Sequence, residues 1–233
     1  TGVSVAVQLI TTAMLLVSMA LYVYFSDREV MENARETWAM FCTMIISYMI
    51  IQLSQLWKYG IYIVPFALCS LVLSIIVSGK CGFFANFTII MLCFMQAINW
   101  QNHADLSTDK FFYLLFSGVI EAVFVSFLLG KQYKRSRYVV AGIVLGVISL
   151  ICATLSYLIF EEVWSWTEYA IIASCSLGSG IISVMLMFVI VPVAEKIFNV
   201  ASIFRFSEIA TSDNELMRKL FEKAPGTYNH CLT

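Results

Sequence analysis

YVVAGIVLGVISLICATLSYLIF, Tyr138 to Phe160, is a run of 23 residues without one charged side chain. At about 1.5 Å of rise per residue, a helix of that length crosses the ~30 Å hydrocarbon layer of a bilayer. The rest of the chain repeats the pattern, with apolar runs at Gly2 to Phe25, Ala39 to Trp57, Ile61 to Val77, Phe83 to Ile98, Phe111 to Leu129 and Ala170 to Val193. Hydrophobic residues make up 61% of the 233 and charged ones only 12%, with a mean hydropathy of +0.86, so lipid is the expected solvent. The apolar mass comes as long runs with only 3 prolines, which suits helices and not the alternating strands of a barrel. The expected fold is an all-α seven-transmembrane bundle over residues 1–193, then a linker at 194–223. The runs at 61–77 and 83–98 are shorter, and are expected to form either a tilted pair or a re-entrant hairpin buried among the other helices.

Basic residues orient the bundle, because segments rich in Lys and Arg stay on the cytoplasmic side. With the C-terminus inside, Arg28, Arg35, Lys80, Lys131, Lys134, Arg135, Arg137, Lys196, Arg205, Arg218, Lys219 and Lys223 all lie inside, and only Lys58 and Lys110 of the 14 lie outside. The expectation is therefore a multi-pass membrane protein, N-terminus outside and C-terminus cytoplasmic. The outer segment Glu161 to Tyr169 (EEVWSWTEY) places two tryptophans where an interfacial belt forms. The chain starts at Thr1 without the charged start of a signal peptide, so it is read as a fragment, and any external sensing domain is expected before Thr1. The net charge of -1 and the absence of a basic, aromatic-interleaved patch argue against a nucleic-acid partner. The seven cysteines lack the paired short spacing of a zinc site or a disulfide framework and are read as apolar fillers.

Inside the apolar runs, Glu121 stands out, because an ionised carboxylate at the bilayer centre costs at least ~2.5–3.5 kcal/mol. It is expected to face the bundle interior or to be protonated, with Asn86, Gln96 and Gln52 as candidate members of an intramembrane polar site. Gln55 is a further candidate partner. Gly142 and Gly146 form a GxxxG pair, and Gly178 and Gly180 sit in a run of small residues, so both segments are expected to pack closely against neighbouring helices. Ordinary packing within one bundle is the preferred reading, although such faces also serve homodimers. Pro65 and Pro192 are expected to bend their helices.

After Pro192 the composition turns polar. Ser212 and Glu215 form a capping box for a short helix carrying Leu216, Met217, Leu220 and Phe221, which Pro225 and Gly226 end. Thr227 then starts another helix, with His230 in its first turn. The stretch LMRKLFEKAPGTYNHCLT, Leu216 to Thr233, with its core APGTYNH at Ala224 to His230, resembles the entry to the catalytic domain of the seven-transmembrane HD-hydrolase family. VPVAEKIFNV (Val191 to Val200) and FRFSEIA (Phe204 to Ala210) resemble that family's exit from the last span and its linker, which marks Pro192, Glu195, Arg205 and Glu208 as coupling residues.

The resemblance implies that the parent protein hydrolyses cyclic di-AMP to the linear dinucleotide pApA, using a divalent metal pair of iron or manganese held by His and Asp. His230 matches the first metal-binding histidine, and residues 224–233 are then the start of the HD phosphohydrolase domain. No His-Asp doublet occurs in the 233 residues, so the fragment is expected to be catalytically incomplete and to hold no metal itself. The other histidine, His103, is read as a solvated loop residue, with Asp105 and Asp109 leaving a weak cation site conceivable.

The competing class is a proton- or cation-coupled transporter using Glu121. A retinal-binding protein is excluded because the last span, Ala170 to Val193, has no lysine, and a G-protein-coupled receptor is disfavoured by the tail. The orientation is directly testable. In intact cells, a membrane-impermeant maleimide is expected to label Ser107→Cys and to reach Gln132→Cys only after permeabilisation. The reverse pattern rejects the assignment.

Overall fold

The protein is described by a computed structural model for residues 2–100, 108–128, 135–160, 164–200, 202, 204–205 and 222–223. It is all-helical, with no strand among the described residues. The elements are α1 (Gly2–Ser26), α2 (Arg28–Glu32), α3 (Ala34–Ser54), α4 (Gly60–Ile63), α5 (Leu68–Ile76), α6 (Gly79–Trp100), α7 (Thr108–Leu128), α8 (Arg135–Phe160) and α9 (Trp166–Phe198). Six of them, α1, α3, α6, α7, α8 and α9, contain stretches long and apolar enough to cross a membrane.

Several helices outrun the apolar runs that announce them, and polar caps explain where they start. Ser78 Oγ accepts the Cys81 amide at 3.1 Å and donates to Asp27 Oδ2 at 2.6 Å. That N-cap starts α6 at Gly79, so the run at 83–98 becomes part of a 22-residue helix and is no short span. Asn33 likewise caps α3, accepting the Arg35 amide at 3.3 Å and donating to Glu36 at 2.7 Å, which moves the start to Ala34. At the far end, Pro192 lies inside α9, which continues to Phe198 and ends on Asn199 in the left-handed region at φ 51°.

The run at 61–77 is the true exception. Proline disfavours helical geometry in the residue before it, and Val64 is extended at φ -59°, ψ 130°. The run therefore splits into α4 and α5. These are among the most enclosed elements of the fold: every residue of α5 is buried, and it packs on α3, α6, α7 and α9. The serines of α5 hide their hydroxyls on their own backbone, Ser70 on Ala67 O at 2.9 Å and Ser74 on Leu71 O at 2.8 Å.

The outer surfaces of α1, α3, α8 and α9 carry exposed Met14, Ile45, Leu158 and Val189, while Glu121, Ser149 and Ser179 are enclosed. This polar-inside arrangement fits a lipid solvent. Backbone proximity binds α8 to α9. A Cβ on Gly180 would lie 2.2 Å from Gly146 N and 2.3 Å from Gly142 O, and one on Gly146 would lie 2.5 Å from Leu177 O. Gly178 does not belong to this seam: a Cβ there meets nothing within 4 Å, because two residues turn it ~200° around the helix from Gly180. The glycine faces meet each other within one bundle. Gly180→Ala is thus expected to destabilise the bundle by ~1–3 kcal/mol despite alanine's better helix propensity. Gly178→Ala is expected to be neutral or slightly stabilising, both read by thermal unfolding in detergent.

Candidate functional site

Breaking a helix inside lipid frees backbone groups that no water can satisfy. Around Pro65 the short-range bonds account for part of the deficit, with Phe66 N–H on Val64 O at 2.9 Å and Leu68 N–H on Pro65 O at 3.0 Å. Part of the rest falls to α7: Tyr113 Oη donates to the Tyr62 carbonyl at 3.2 Å, and the Glu121 carboxyl lies beside the backbone of Ala67. Ser117 Oγ donates to Glu121 Oε1 at 2.7 Å. Tyr113, Ser117 and Glu121 are spaced four residues apart, so one stripe of α7 faces the break between α4 and α5.

Glu121 therefore faces inward, 1% exposed, beside the start of α5, whose cap position, Ala67, has no side-chain hydrogen bond. Its Oε2 has no hydrogen-bond partner among the described residues. From Tyr113 the polar path continues to Ser149 Oγ on α8, and Ser179 Oγ on α9 donates to Ser149 at 3.0 Å. Four elements thus share one chain of buried hydroxyls ending on a broken helix.

The other intramembrane candidates lie elsewhere. Gln52 Nε2 donates to Gln96 Oε1 at 2.7 Å, and Tyr48 Oη donates to the same oxygen, joining α3 to α6. None of Gln52, Gln96 and Asn86 hydrogen-bonds to Glu121. Asn86 is 2% exposed, with its Nδ2 unpartnered among the described residues. Asp109 is buried and accepts Tyr62 Oη at 2.9 Å, so it belongs to the α4–α7 contact, while His103 and Asp105 lie outside the described residues. At the same end of the bundle, Lys58 pairs with Glu168 at 3.0 Å, and that carboxylate pushes the ammonium pKa above its ordinary value.

At the end where α9 finishes, the expected coupling residues come together. Pro192, Glu195 and Arg205 line one small pocket with Arg135, Phe188 and Phe204. Phe204 is 5% exposed, its ring edge-on to Tyr138 at 5.1 Å and stacked near Phe188 at 6.5 Å, with the Arg135 guanidinium 5.5 Å from its centroid. Glu208, the helix expected after Ser212, and His230 lie outside the described residues. Among the described residues no group of three His, Cys, Asp or Glu side chains is placed to hold a metal ion.

Sequence reasoning missed Tyr113, Ser117, Ser149 and Ser179. The signal for the first two was present, since 113, 117 and 121 repeat at the helical interval of four. The partner of Tyr113 was hidden, because a backbone carbonyl freed by a proline leaves no mark at the position that will satisfy it.

A polytopic helical bundle with internal polar struts and a docked tail defines the membrane region of a multi-pass protein. Residues 3–202 match the model of the family described as 7TM receptor with intracellular HD hydrolase, and the chain belongs to that family. It is 25% identical over 171 residues to the cyclic-di-AMP phosphodiesterase PgpH of Listeria monocytogenes serotype 1/2a (strain 10403S), covering 73% of this chain and 23% of that protein. It is 24% identical over 169 residues to the cyclic-di-AMP phosphodiesterase PgpH of Bacillus subtilis (strain 168), covering 72% of this chain and 23% of that protein. The chain thus spans about a quarter of the length of these relatives. No solved structure matches it.

The broken helix yields a test. Tyr113→Phe removes the hydrogen bonds to the Tyr62 carbonyl and to Ser149 and is expected to cost ~1–3 kcal/mol in thermal unfolding. Glu121→Gln keeps an acceptor for Ser117 and is expected to retain more stability than Glu121→Leu, which removes that bond.

Proposed function

We propose that this chain is the membrane anchor and signal-relay region of a bacterial cyclic di-AMP phosphodiesterase. Support for the substrate is the naming of both relatives, and support for the relay is the burial of Phe204, the observation that carries the reading. The segment leaving α9 returns and inserts an aromatic ring between α8 and α9, so a change at that seam acts directly on the tail. In this reading the bundle has seven spans with its N-terminus outside and its C-terminus cytoplasmic, α4 and α5 together making the third pass. The complete protein hydrolyses cyclic di-AMP to pApA at a metal-dependent HD site. His230 contributes one ligand there, and the metal pair supplies the activated water and the charge stabilisation when bound. A sensing domain before Thr1 and a homodimer are compatible partners for such a relay.

Transport through Glu121 loses its support, because its carboxyl hydrogen-bonds to Ser117 on the same helix and to none of Gln52, Gln96 or Asn86.

The experiment is hydrolysis of cyclic di-AMP by the full-length protein in membranes. Metal-dependent formation of pApA is expected, falling by at least ~10–100-fold in His230→Ala. Phe204→Ala is expected to keep the metal-dependent activity while changing its rate in the membrane-embedded protein. Absence of hydrolysis by the unaltered protein sinks the enzyme reading, and an unchanged rate in Phe204→Ala sinks the relay.

A further inference from the structure

α1 rests on α6 and α2 without extended contact along α3. α3 rests on α6 as well, and between the three helices lies a cavity of about 580 Å³. That volume is within the ~300–1,000 Å³ typical of small-molecule sites. The cavity is polarised along its length. Gln8 of α1, Tyr48 of α3 and Gln96 of α6 line one end, and Leu16, Phe41 and Ile89 line the other. Eight residues on α1 and seven on α3 and α6 separate the two ends, which is ~11–12 Å along the helix axes. The lining contains no Asp, Glu, Lys, Arg or His.

The side entrance faces lipid. Leu9 and Ile45 line the cavity, yet are 67% and 58% exposed. At the polar end, the carbonyl oxygen of Gln96 already receives Tyr48 Oη and Gln52 Nε2. What Gln96 offers an incoming group is therefore its amide N–H, a neutral donor suited to an acceptor such as an ester carbonyl. A charged headgroup would find no countercharge here, and burying it unpaired would be costly. A wholly apolar molecule would leave the polar end unused.

We propose that this cleft binds an uncharged acylglycerol entering sideways from the bilayer, its ester region at Gln8, Tyr48 and Gln96 and its alkyl chains along Leu16, Phe41 and Ile89. The occupant comes from the membrane itself, so the bundle has an input site independent of any domain before Thr1 and of the enzymatic reading above.

The test uses the full chain in phosphatidylcholine nanodiscs with a diazirine-bearing diacylglycerol as photoprobe. Adducts are expected to concentrate on peptides of α1, α3 and α6 and to be displaced by unlabelled diacylglycerol. Ile45→Trp and Leu16→Trp, which fill the cleft, are expected to lose this displaceable labelling, while Leu158→Trp on the lipid face of α8 keeps it. Adducts spread evenly over the lipid-facing helices would overturn the proposal, as would equal displacement by anionic phosphatidylglycerol or insensitivity to both filling variants. A photo-crosslinked dimer joined through α1 and α3 would assign the cleft to a second copy instead. Peptide mapping and competition on the unaltered chain decide the matter even if a tryptophan variant fails to fold.

Discussion

A proline in the middle of an apolar run, surrounded by lipid and not by water, is the constraint on which the centre of this bundle depends. Pro65 has no amide to donate, and Val64 before it is held out of helical geometry. In water the freed groups would be solvated at little cost, but in hydrocarbon each unsatisfied one costs several kcal/mol. The broken segment must therefore be enclosed by other helices and supplied with side-chain partners. α5 is buried at every residue, and α7 delivers a phenol to the Tyr62 carbonyl on one side of the break and sets the Glu121 carboxyl beside Ala67 on the other.

That arrangement sets the order of packing around it. Tyr113 also reaches Ser149, so α8 is registered against α7 by the same side chain that services the break. Ser149 takes a hydrogen bond from Ser179, and the glycines at 142, 146 and 180 let the two backbones approach closely enough for those short hydroxyls to meet. Seam and polar path are thus one structure. A shift of α9 along α8 would break hydrogen bonds in the interior as well as close contacts, which makes intermediate positions costly and favours a small number of discrete ones.

The all-helical class and the positions of the apolar runs were legible in the sequence because lipid imposes a length and a composition. The inward-facing Glu121 was legible for the same reason. The partner of Glu121 was not, since Asn86, Gln52 and Gln96 on other helices were the candidates, whereas the hydrogen bond comes from Ser117 one turn earlier on the same helix. Helix starts were missed by up to five residues at α3, where Asn33 caps polar residues that hydropathy assigns to a loop. The glycine seam was half legible: GxxxG at 142 and 146 named one side, but only the facing helix showed that Gly180 belongs to it and Gly178 does not. The FRFSEIA stretch was recognisable as a linker, while the burial of its Phe204 beneath α8 and α9 depends on geometry that no local pattern encodes.

Asn199 gives the end of α9 its mechanical character. With φ at 51° it turns the chain out of the helix in a left-handed step, and five residues later Phe204 is already lodged against Tyr138 and Phe188. A rope tied to the tip of a rod would transmit tension along the rod. Here the tail is hooked back like a belay, so a pull on it loads the join between α8 and α9 sideways and tends to prise the two helices apart. In the proposed relay, a domain fastened to that tail would be coupled to the spacing of two helices and not to the vertical position of one.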